Sequence, residues 1–208
     1  FGFAERANVI PITTDEFPQA MRHYPILIAG GDNPMPVVLV GFENGRNDYV
    51  SADGKWRDGT YVPAYLRRYP FALLRESDTS DRHILCADLT STMLTPDDDE
   101  GEALFNSDGS ASDAMNRVLS FAGQYDSAVQ RTRALMADAV KHDLIGPSTV
   151  TVSRGERNMK VEGFSVVSEE KERALPDAVL GDLARRGVLP LFHAMQMSLA
   201  NFATLAED

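Results

Sequence analysis

Arg67 and Arg68 are the residues of this chain best placed to do chemistry. Two adjacent guanidiniums can grip a carboxylate or a phosphate through paired N–H donors. They stand in Tyr61-Val-Pro-Ala-Tyr-Leu-Arg-Arg-Tyr-Pro-Phe71, where Tyr61, Tyr65 and Tyr69 supply hydroxyls and apolar walls and no acid intervenes between Thr60 and Leu74. Two uses are open. The tyrosines fill a core while the arginines pair with acids of the chain, or the segment holds an anion or a partner. In an extended segment Arg67 and Arg68 point to opposite faces; in a helical turn after Pro63 they lie about 100° apart and could share one anion. One arginine is expected to pair with a carboxylate and the other to face a ligand or partner. Trp56, beside the Asp53-Gly54 turn, and Tyr65 are expected to be buried and to anchor the segment.

A second polar set lies near the C-terminus. His193, Gln196, Asn201 and Thr204 fall within about 140° of one another at about 100° per residue, a neutral polar stripe on an otherwise apolar helix. Such a stripe lines a ligand cavity or is the wet side of a packed helix, with Met195 and Met197 as core. Candidate ligand- or partner-binding residues are therefore Tyr61, Tyr65, Arg67, Arg68, Tyr69, His193, Gln196 and Asn201.

Other chemistries find no pattern. His23, His83, His142 and His193 are scattered without helical ligand spacing, so neither a metal nor a cofactor is expected. Asp97-Asp-Asp-Glu-Gly-Glu102 lacks the order of a calcium loop and reads as a solvated acidic loop; Asn106-Ser-Asp-Gly109 departs from that order after its first positions. No Gly-x-Ser-x-Gly elbow exists. Gly30-Gly31 opens no phosphate-binding helix and is read as a hairpin turn. Cys86 stands three residues from His83, which on a strand puts them on opposite faces, so it is expected to pack as a small hydrophobe. One cysteine also excludes an internal disulfide.

The elements that must position these residues divide at mid-chain. Val9–Ile12, Tyr24–Ala29, Val37–Phe42, Asp48–Ser51, Phe71–Leu74 and Ile84–Leu89 read as short strands, with turns at Gly30–Pro34, Glu43–Arg46 and Asp53-Gly54. Thr13 or Thr14 caps a brief helix with Glu16 and Phe17 in its first turn. From Ser112 to Leu144 apolar residues recur at helical spacing, including Met115, Val118, Leu119, Ala122, Met136 and Val140, with Ser110 or Ser112 as cap and Gly146-Pro147 as stop. Thr149–Val152 and Val161–Val167 form a hairpin about Gly155. Pro176 opens a final helix, broken at Gly187–Pro190. The expected fold is α+β: an N-terminal antiparallel β-meander packed against a long helix and a C-terminal helix. It is taken as one domain over 1–208, with 1–95 mainly β, 96–110 an acidic loop and 111–208 mainly α with one β-hairpin.

The balance of 31 acidic against 20 basic side chains, net charge −11, disfavours nucleic acid and anionic membrane surfaces. The longest uncharged run, Gly187 to Leu205, carries too many polar groups for a membrane span and reads as a buried helix of a soluble protein. No signal pattern is present, so a cytoplasmic location is expected, or a surface-associated one if a signal segment precedes Phe1.

Taken in order, Val9-Ile-Pro-Ile12, Glu16-Phe-Pro18, Tyr24-Pro-Ile26, Asp53-Gly-Lys-Trp56, the Tyr61–Phe71 string, Leu104-Phe105, Gly163-Phe164 and His193-Ala194 with Ser198-Leu199 resemble the bacterial SapC-like family over nearly the whole chain. The resemblance implies association with surface layers, with outer-membrane uptake systems and with flavin-dependent, halogenase-like enzymes. It carries over no catalytic residue. The peptide-transporter permease of the same name is excluded, because a permease needs several apolar spans. The function expected is a soluble, non-catalytic accessory protein that binds a protein partner or small ligand in that physiology. The alternative is an enzyme with a site near Arg67, Arg68, Tyr65 and His193. Oligomeric state is left open.

Overall fold

The computed structural model describes residues 1–76, 82–97, 100–154 and 157–207. The chain forms two compact units, Phe1–Pro63 with Val129–Asp208, and Ala64–Ala128. The architecture is α+β, as the sequence implies.

The first unit is built on a five-stranded antiparallel sheet in the order β1-β3-β2-β7-β6: β1 (Val9–Pro11), β2 (Ile26–Ala29), β3 (Met35–Leu39), β6 (Ile145–Arg154) and β7 (Arg157–Val167). Continuous apolar runs suit strands buried on both faces, and Ile26, Leu27, Ile28, Val37, Val38 and Leu39 are all buried. The β2–β3 turn needs Gly30, whose φ of 101° puts a notional Cβ 2.6 Å from the Asn33 carbonyl. Ile28 opposite Ser165 joins the C-terminal hairpin to this sheet. That hairpin's turn at Gly155 lies outside the described residues.

Helices α1 (Phe17–Ala20), α4 (Glu169–Arg173), α5 (Asp177–Arg185), α6 (Leu189–Ser198) and α7 (Asn201–Glu207) complete the unit; α6 packs on β2 and β7, and α7 on β6. The core is deep. Phe17, Tyr24, Leu144, Leu183, Phe192 and Leu205 are each fully buried.

The second unit holds α2 (Ala64–Arg67), the hairpin β4 (Phe71–Arg75) with β5 (His83–Ala87), and the first part of the 29-residue α3 (Asp113–Lys141). Ser112 caps α3 by accepting the Met115 N–H at 3.2 Å.

Several details depart from the sequence reading. Phe71–Leu74 and Ile84–Leu89 do pair, but as a separate two-stranded sheet rather than as part of one N-terminal meander. Asp48–Ser51 forms no strand, only a bridge from Val50 to Trp56. Gly146 and Pro147 do not stop α3; they lie inside β6, and the helix ends through Asp143 at a φ of 53°. The break expected at Gly187–Pro190 is present, with Gly187 at a φ of 72°, but a second one at Leu199–Ala200 divides the C-terminal run into three helices. Trp56 is buried as expected, but Tyr65 is 37% exposed: on the short α2 it stands opposite the buried Ala64–Leu66 side. Cys86 is half-buried, on a face of β5 opposite His83.

Candidate functional site

Pro63 stands directly before α2, and the turn continues past the helix: Tyr69 N–H donates to Leu66 C=O at 3.1 Å and Phe71 N–H to Arg68 C=O at 2.8 Å. The helical geometry puts Arg67 and Arg68 about one residue's rotation apart. Both guanidiniums lie over aromatic rings. Arg67 lies over Phe121 at 5.3 Å, and Arg68 lies between Tyr65 at 4.4 Å and Tyr125 at 5.4 Å. Aromatic faces thus stabilise the Arg68 charge. Tyr69 donates its hydroxyl to Asp88 Oδ2 at 3.0 Å. Thr90's hydroxyl and N–H, and then Tyr69, hold the Asp88 carboxyl below the usual range.

Arg67, Arg68 and Tyr69 line a pocket of about 690 Å³ that lies within this unit. Its apolar wall comes from Phe71, Met93, Leu94, Phe105, Val118 and Phe121, and its acidic rim from Asp97, Glu100 and Glu102. Glu102 pairs with Arg117 on the same wall. The Asn106–Gly109 segment, which only began like a calcium loop, is a tight turn: Asp108 Oδ1 accepts the Ser110 N–H at 2.9 Å, and Asn106 N–H donates to Ser110 C=O at 2.8 Å. It brings Phe105 back to the pocket beside the start of α3.

Burial in this unit is thin. Leu66 and Met115 are its buried large apolar side chains among the described residues, with Ala64, Ala122 and Ala128 beside them. Leu74, Ile84, Leu89, Met93, Phe105 and Leu119 are all exposed, Met93 at 64% and Phe105 at 59%.

A second pocket, about 410 Å³, lies in the other unit and contains His193 and Gln196. Both side chains converge on Glu172 of α4. His193 Nε2 lies 2.7 Å from Oε1, and Gln196 donates to Oε2 at 2.8 Å. Glu172 is almost wholly buried, whereas the imidazole is half exposed. Nothing in the Glu169-Glu-Lys-Glu-Arg173 run separates Glu172 from its exposed neighbours, so this carboxylate escaped the sequence reading. An acid–imidazole pair can pass a proton, and it also ties α4 to α6.

The remaining candidates are committed to internal bonds. Tyr61 donates to Glu16 Oε1 at 3.0 Å, and Glu16 also accepts the Thr13 N–H at 2.8 Å. Asn201 donates to the carbonyls of Met21 at 2.7 Å and Tyr24 at 3.1 Å. Thr204 is exposed. The polar stripe is therefore divided: His193 and Gln196 face a pocket, while Asn201 fastens α7 to the loop after α1.

This order of landmarks is matched by a protein-family model described as SapC over residues 1–205. The chain belongs to the SapC family. No curated protein and no solved structure matches this SapC chain. No described helix of it is long and apolar enough to cross a membrane.

Proposed function

We propose that this SapC-family chain is a non-catalytic accessory protein, and that Ala64–Ala128 is the part that binds a protein partner. The observation that carries the reading is the imbalance of that unit. It buries two large apolar side chains among the described residues and exposes many, two of which, Met93 and Phe105, line an apolar pocket. Exposed apolar surface gathered at a concave site marks an interaction surface, because its desolvation is a driving force that only a partner supplies. Arg67, Arg68 and Tyr69 line that pocket, Tyr65 lies against Arg68, and all four are of the kind enriched at interfaces. The occupant that fits is an apolar side chain presented by a protein segment, with arginines and carboxylates on the rim to fix its backbone. The SapC likeness supports a partner from surface-layer or outer-membrane uptake physiology, or a flavin-dependent, halogenase-like enzyme.

The test is co-purification of the tagged full chain from its own cells after cross-linking. Wild type should retain a stoichiometric partner. Met93→Ser and Phe105→Ser, both at exposed positions, should lose it while melting with the parent. Capture unaffected by both changes would overturn the assignment of the surface.

One observation favours the enzyme alternative: the Glu172–His193–Gln196 set beside its pocket. It supports an acid–base role for His193 without the arginines. His193→Gln, which keeps a donor for Glu172, should then abolish a turnover that broad substrate profiling detects.

A further inference from the structure

The hairpin β4–β5 leaves one ladder open. Its register pairs Ala72 with Cys86, Leu73 with Leu85 and Leu74 with Ile84. Glu76 N–H donates to Arg82 C=O at 3.0 Å, and Asp88 N–H to Pro70 C=O at 2.9 Å. Hydrogen-bonded and non-bonded pairs alternate in an antiparallel ladder, so Ile84 and Cys86 direct their backbone groups toward β4. Leu85 and Ala87 direct theirs the other way, and the sheet has no third strand among the described residues. Natural edges are usually blunted by proline, lysine or a bulge. His83-Ile-Leu-Cys-Ala87 has none of these, and Ile84 is 50% exposed.

We propose that this edge pairs with β5 of a second copy of the chain, antiparallel about a two-fold axis at Leu85. Three features of the strand select that occupant and that register. Leu85 opposite its own copy is an outward, hydrogen-bonding pair, and Ala87 opposite His83 continues the ladder in phase. Ile84 falls opposite Cys86 on one face, extending the uncharged surface of Ala72, Leu74, Ile84 and Cys86 across both copies. Arg82 and Asp88 stand at equal distances either side of Leu85, so each Arg82 meets the other copy's Asp88, twice by symmetry. Centring the axis on His83 or Ala87 keeps the ladder phase but separates these charges. Arg82 is 83% exposed at its side chain and lies 3.5 Å from Glu76; an exposed guanidinium with several donors can add the other copy's Asp88 to such a surface pair at little cost. The inference goes beyond the partner reading and uses the strand edge, not the pocket.

Sedimentation of the full chain over a wide concentration range should reveal a reversible dimer. Leu85→Pro removes an outward N–H and no β4 ladder bond, and should weaken the dimer by at least about tenfold, roughly 1.4 kcal/mol. Arg82→Asp should weaken it too, and Arg82→Asp with Asp88→Arg should restore it; these exposed changes keep the test alive if Leu85→Pro misfolds. In a Cys86→Ser background, Leu85→Cys should cross-link to its own copy on oxidation, since the central pair lies about 5.5 Å apart between Cα atoms. Ile84→Cys should not, because its neighbour across the axis is residue 86. A wild-type monomer at every concentration overturns the proposal. So does a dimer indifferent to Leu85→Pro in a folded variant, or to both charge changes, and so does cross-linking at 84 instead of 85.

Discussion

Tyr24 concentrates the residue-scale argument. Its ring is wholly buried against Tyr49, with centroids 4.7 Å apart, and against Trp56. Its hydroxyl donates to the Tyr61 carbonyl and accepts from Trp56 Nε1 at 3.3 Å. Burial pushes its pKa up to about 12, against the opposing pull of Thr60, Trp56 and Arg57. The folded value exceeds the unfolded one, about 10. Its contribution is therefore complete below pH ~10 and is lost as the pH rises toward 12. Each pH unit in that window should remove up to about 1.4 kcal/mol. Tyr24→Phe should be less stable at neutral pH but should lack this alkaline component; thermal melts of both proteins across the window would measure it. Tyr24 was legible only as a strand residue. Its role comes from Trp56 and Tyr61, 32 and 37 positions away, which no local pattern connects.

At the scale of elements, single side chains stand in for missing ladder bonds. Ser198, fully buried near the end of α6, accepts the Ile26 N–H at 2.8 Å where β2 begins. Ser198→Ala strands a buried donor and should cost about 1–3 kcal/mol, whereas Ser198→Thr should keep the bond if its methyl fits. Urea unfolding of the two variants separates lost hydrogen bonding from lost packing. Which elements exist was largely written in the sequence. The β2–β3 hairpin, α3 and its Ser112 cap, and the β4–β5 pair all follow from apolar period, glycine and capping chemistry. Where they go was not. The β6–β7 hairpin joins β2 through Ile28 and Ser165, a pairing across most of the chain. Gly146-Pro147 looked like a helix stop because both residues break helices, yet proline is also tolerated on an outer strand, and β6 is one. The site was half legible for the same reason. The Arg67-Arg68 string announced itself, whereas Glu172 sits in a run of five charged residues and is distinguished only by what α6 brings to it.

Across the whole molecule, burial is unequally shared, and stability should follow it. The unit of Phe1–Pro63 and Val129–Asp208 encloses fully buried aromatic and aliphatic side chains, whereas among the described residues of Ala64–Ala128 the buried apolar side chains are alanines, Leu66 and Met115. A two-stranded hairpin is marginal unless something packs on it. Local opening free energy tracks the number of buried apolar contacts. Amides of β4 and β5 should therefore exchange hydrogen at least about tenfold faster than those of β2 and β3, read by mass spectrometry on the full chain. Within the hairpin the pattern should alternate, Ile84 and Cys86 slower than Leu85 and Ala87, because only the first pair bonds to β4. Residue-resolved exchange by NMR reads this directly. Raising the protein concentration should then slow Leu85 and Ala87 selectively, as the outward ladder closes on a second copy. A partner bound at the Phe105 pocket should instead slow the unit as a whole, by supplying the apolar contacts that it lacks. Uniform protection of both units would mean that Ala64–Ala128 is already as tightly packed as the sheet unit, and would remove the imbalance on which partner binding rests.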